Sequence, residues 1–191
     1  MKAVDRQELL GLDAYEQVRE HFRRRIIELK RNRRVALGPN MTVLFENHDT
    51  VLFQVQEMLR TERITQESAI SHELSTYNVL TPSEAELSAS IFLEYVDAGE
   101  RERMLTALAG VEQCFYLKVD GRRLPALGER RGDRTDRTTA VQYVRFPFDE
   151  TAARLLRQGT GSVAVGVDHP SYHAEAELAS NVRASLGEDF S

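Results

Sequence analysis

The sequence predicts an α+β fold: N-terminal helices with a small β-hairpin, then a mainly antiparallel sheet with packed helices. Three observations predict it. Apolar residues recur at helical spacing through most of the first eighty positions, the period shortens to two in the second half, and turn dipeptides such as Asp120-Gly121 join successive strands. Helices first and hairpin-linked strands later favour this class over a doubly wound sheet.

The first helix is expected over 13–32, where Asp13 and Glu16 have capping-box spacing and Tyr15, Val18, Phe22, Ile26 and Leu29 share one face. A hairpin follows, because Val35 and Leu37 alternate on one side of Gly38-Pro39-Asn40 and Met41, Val43 and Phe45 on the other. His48-Asp49-Thr50 opens a second helix to about Arg63, with Asp49 or Thr50 as its cap. Val51, Leu52, Val55, Met58 and Leu59 form its apolar arc, and Phe53 falls among its polar residues. A third helix over 66–80 is expected to be capped by Thr65 and to end near Pro82, with Ile70, Leu74, Tyr77 and Leu80 inward.

Strands are expected near 87–96, 113–119, 122–126, 140–148, 161–168 and 172–178, with helices at 98–109 and at 149–158, the latter capped by Asp149. A short terminal helix fits 181–186, and the segment 128–138 reads as the most disordered loop. No internal repeat divides the chain. The 191 residues, 41% hydrophobic and 29% charged, suffice for one domain, 1–191, with a helical part to about residue 82 and a sheet-rich part from about 83.

No signal-peptide-like or membrane-spanning apolar run occurs, and Cys114 stands alone, so a cytoplasmic protein with no membrane partner is expected. A single thiol builds neither a disulfide within the chain nor a thiolate cluster. The net charge of −5 conceals a basic run over 19–34, with eight bases against two acids. Arg19, Arg23, Arg24, Lys30 and Arg31 gather opposite the apolar stripe of the first helix. The plainest reading of that face is a solvated surface; if it binds, it suits an acidic protein partner better than nucleic acid, because its aromatics, Tyr15 and Phe22, belong to the apolar stripe and leave no stacking platform. Phe53 joins this candidate partner-binding set, unless the sheet covers it. A second basic stretch, 122–137, is broken by glycine and reads as a loop.

Phosphate-binding, nucleophile-elbow and zinc-protease motifs are absent, and no catalytic residue is assigned. No cofactor is predicted, since a strand-end His48 and a solvated helical His72 are the ordinary readings; the one candidate is a first-row metal ion held by His48, Asp49, Glu57, His72 and Glu73, with Glu46 nearby, if the second and third helices converge. The simpler reading of Glu73, inside an apolar arc, is an ion pair with Arg60 or Arg63 that locks the helical hairpin. His169 and His173 flank Pro170 in a turn-like DHPSY and suit a hairpin rather than a ligand pair. Cys114, beside Phe115 in an apolar strand, reads as a buried, inert thiol.

The runs LGPNMTVLFENHDTVLFQVQEMLRTERI, HELSTYNVLTPSEAELSASIFLE and AVQYVRFPF resemble the bacterial domain of unknown function family 3501, and the likeness extends over nearly the whole chain. The resemblance implies no activity. It implies genomic company with rubrerythrin-like proteins and heterodisulfide-reductase-related iron–sulfur proteins, and hence an accessory or adaptor role beside a redox partner. A metal-binding protein or enzyme using the His/Glu/Asp set is the alternative, and nucleic-acid binding through the first helix a further one.

Overall fold

The computed structural model describes residues 1–128 and 136–190. Much of the loop expected over 128–138 therefore lies outside the described residues. The elements run α1 (Leu12–Arg31), β1 (Arg34–Ala36), β2 (Met41–Glu46), α2 (His48–Thr61), α3 (Glu67–Asn78), β3 (Glu86–Leu93), α4 (Ala98–Ala107), β4 (Phe115–Val119), β5 (Arg122–Pro125), β6 (Leu127–Gly128), β7 (Val141–Pro147), α5 (Glu150–Gln158), β8 (Val163–His169), β9 (Tyr172–Glu177) and α6 (Ser180–Gly187). Every pairing between these strands is antiparallel, and the fold is α+β.

Two sheets form, in the orders β1-β2-β3-β7-β6 and β5-β4-β8-β9. The first takes two strands from the part read as helical, because β2 pairs along its length with β3 and carries the early hairpin into the later sheet. Alternation then puts Met41, Val43, Phe45, Ile91, Val144 and Phe146 of this sheet in one core with Phe115, Leu117, Val165 and Val167 of the other. Residues from α4, α5 and α6 complete that core. Tyr172 links the sheets directly: its hydroxyl donates to the Leu37 carbonyl at 2.8 Å. Gly38, at φ +74°, allows this approach, since a Cβ there would lie 2.5 Å from the tyrosine oxygen.

A second apolar cluster joins Val51, Val55 and Leu59 of α2 to Ile70 and Leu74 of α3, with Tyr143 of β7 packed against it, so the helical hairpin covers the other face of the five-stranded sheet. That face is polar at its heart. Buried Glu46 accepts hydrogen bonds from the Ser90 and Thr50 hydroxyls, both at 2.5 Å.

Several caps differ from expectation. Asp13 lies inside α1, whose N-cap is Gly11, and the capping box belongs to Asp5 and Glu8 on a preceding 3-10 turn. Asn47 caps α2, with Thr50 as its reciprocal partner, because Asn47 is still extended where Asp49 is already helical. Gln66 rather than Thr65 precedes α3 and makes no side-chain cap. Asp149 caps α5 as expected, accepting from the Ala152 amide. Val18 faces outward, because α1 rests on α2 along a narrower stripe than its sequence offers.

The side chain most deeply committed in the structure is Arg33, at 0% exposure. Its guanidinium donates to the carbonyls of Phe45 (2.9 Å), Glu46 (3.0 Å) and Ser185 (3.1 Å) and forms a two-pronged ion pair with Asp189. Burial pushes the Asp189 carboxyl up, while Arg33 and Asn47 pull it down. Removing one partner of such a pair strands the other charge. Arg33→Ala should therefore lower stability by about 3–5 kcal/mol in urea unfolding; a loss below about 1 kcal/mol, the scale of an exposed pair, would contradict this.

Candidate functional site

Helix α1 lies antiparallel on α2, and its inward side is tied down by charge as well as by apolar contact. Tyr15 donates to Glu57 at 2.7 Å, and Arg19 grips the same carboxylate at 2.8 and 2.9 Å. Arg60 of α2 returns to Glu16 at 2.5 Å, and Arg25 meets Asp49 at 2.8 Å. Phe53 is covered by α1 rather than by the sheet: the Phe22 ring stands edge-on to it at 5.6 Å, with the Lys30 ammonium 5.6 Å from its centre. Burial pushes the Lys30 ammonium below its ordinary value, opposed by Glu46 and aided by Arg34.

The six residues expected to meet a partner thus divide. Arg19, Lys30 and Phe53 build the α1–α2 contact, while Arg23, Arg24 and Arg31 stay exposed. Arg24 donates to the Glu20 carbonyl at 3.3 Å and Arg31 pairs with Glu28 at 2.7 Å; Arg23 and exposed Arg34 have no ion pair among the described residues. Ile27 lies among them at 38% exposure, between two shallow depressions lined by His21, Arg24, Arg31 and Arg34.

The residues considered for a metal are separated. His48 sits between Glu8 (3.0 Å), which sequence reasoning missed, and Asp49 (3.4 Å), which also serves Arg25. Glu57 serves Arg19 and Tyr15; His72 is exposed on α3 and Glu73 half-buried there, with Arg60 drawn to Glu16 instead. Glu46 turns inward to Ser90 and Thr50. Among the described residues no three His, Cys, Asp or Glu side chains gather as metal ligands. His169 forms one end of the β8–β9 turn, and His173 pairs with Asp168 at 3.0 Å. Cys114 is half-buried, and burial pushes its thiol up. Among the described residues no helix is long and apolar enough to cross a membrane.

The model of a family described as protein of unknown function, DUF3501, matches residues 3–190. The chain belongs to the DUF3501 family. A crystal structure of a novel protein of unknown function from Burkholderia pseudomallei K96243 is 32% identical to it, covers the whole of both chains and superposes with a TM-score of 0.93. No curated protein matches the chain.

In this DUF3501 protein, the Arg19 hydrogen bonds hold the Glu57 carboxyl below the usual carboxylate range, with Tyr15 helping and burial opposing. The contact favours the ionised form, so its stabilisation is complete above the unfolded carboxylate value of about 4.3 and is lost as pH falls through the lower folded value. Glu57→Gln should cost about 1 kcal/mol at pH 7 and flatten the fall of stability below pH ~4. Urea titrations at pH 7 and in that acid range check both; an acid limb as steep as the parent's would contradict the assignment.

Proposed function

We propose that the chain is a non-enzymatic accessory protein that docks on an acidic protein surface through the exposed side of α1. One observation carries the reading. Arg23, Arg24, Arg31 and Arg34 remain at the surface around exposed Ile27, while the neighbouring charges of Arg19 and Arg25 are spent on Glu57 and Asp49. Exposed guanidinium groups around an apolar side chain suit an interface with an anchor and a charged rim. In a chain of net charge −5, this local sign attracts an acidic surface that the average would repel. The genomic company that the resemblance implies supplies the candidates to try: rubrerythrin-like and heterodisulfide-reductase-related iron–sulfur proteins.

The triple variant Arg23→Glu, Arg24→Glu, Arg31→Glu should fold as the parent does, since these side chains are exposed. Its binding to one immobilised candidate should fall at least tenfold, and parent binding should weaken steeply between 50 and 300 mM salt. Equal binding by parent and triple variant would overturn the docking face. Binding of duplex DNA by the parent, with neither protein retained, would overturn the protein partner.

A further inference from the structure

We infer that a recess under the C-terminal end of α3 is a binding site for a small monocarboxylate. It is bounded by Val79 and Leu80 after that helix, Ser88 on β3, Tyr143 and Arg145 on β7, and the short strand β6, and holds about 180 Å³. The strand register places Ser88 between Glu46 on β2 and Arg145 on β7, so a carboxylate, a hydroxyl and a guanidinium stand in one row across the sheet.

Ser88 supplies the observation that points to a ligand. It is 2% exposed, lines the recess and has no side-chain hydrogen bond among the described residues. Ser90, two residues along on the same face, has its hydroxyl fixed on Glu46 at 2.5 Å. Its oxygen is not sealed off but opens into the recess, so the hydroxyl is free to donate to an acceptor that enters there. Arg145 supplies the charge. It donates to the Val79 carbonyl at 2.7 Å and lies 3.5 Å from Glu86, which leaves other donors of its five unspent. The mouth is apolar, with Val79 37% and Leu127 61% exposed.

Size and chemistry together select the class. A cavity of about 150 Å³ accommodates the six carbons of benzene, so this one takes about seven non-hydrogen atoms, with the end of a slightly longer chain left at the apolar mouth. A nucleotide exceeds it. An anionic head accepting from Ser88 and Arg145, with a short hydrocarbon body against Leu80, Tyr143 and Leu127, uses both the polar row and the apolar walls.

The test is a ¹⁵N-detected titration of the full chain with hexanoate, and in parallel with 1-hexanol as the uncharged counterpart. Saturable shifts should centre on the amides of Ser88, Gly128 and Tyr143, with hexanol at least tenfold weaker. Arg145→Gln should weaken hexanoate at least tenfold, and Ser88→Val, which removes the donor and narrows the recess, should weaken it at least as much. Either variant suffices provided its spectrum overlays the parent's elsewhere. Shifts that do not saturate or are scattered over the surface, hexanol binding as tightly as hexanoate, or parent-like binding by a folded variant would each overturn the proposal.

Discussion

The arrangement depends on satisfying one buried guanidinium. Arg33 leaves the end of α1 pointing inward, and a planar cation there demands acceptors on several sides. The carbonyls of Phe45 and Glu46 provide one side, and Ser185 with Asp189 the other. The end of β2, the start of α2 and the final helix are thereby held in register. Asn47, which caps α2, also helps pull the Asp189 carboxyl down, so the helix start lies beside the ion pair. On the far side of the same junction, Glu46 is satisfied by Thr50 and Ser90. A cluster this polar is tolerated between apolar layers because its groups answer one another.

That commitment decides what the rest of the basic run is free to do. Arg33 is spent inside the protein and Arg19 on the α1–α2 seam, so the exposed remainder is a smaller, one-sided patch centred on Ile27. Exposed pairs such as Arg31 with Glu28 contribute little stability and leave the guanidinium largely in solvent. The fixed and exchangeable arginines differ in their surroundings, not in their chemistry.

Much of this was legible in the sequence. The helical and strand segments lie close to the positions their periodicity indicates, and the Asp120-Gly121 turn and the Asp149 cap stand where expected. The phase of Arg33 was also legible in principle: it alternates in step with Val35 and Leu37, both buried, and so belonged to the interior rather than to the basic run. Asp189 carried no such signal, since only folding brings it to Arg33. The caps of α1 and α2 were misplaced because several polar residues stand near each start and only backbone geometry chooses among them. The recess at Ser88 was invisible for a different reason: it exists only once β3 is paired with both β2 and β7. Phe53, read from its helix alone, looked exposed; Phe22 and Lys30 from another element supply its cover.

The central claim is that one run of arginines splits into a buried structural group and a group left exposed on α1. Arginine-directed chemical modification of the folded chain, read out by peptide mass spectrometry, tests it most directly. Arg23, Arg24 and Arg34 should react readily while Arg33 stays unmodified until the chain is unfolded. Reaction of Arg33 at the rate of Arg23 in the folded protein would contradict the account.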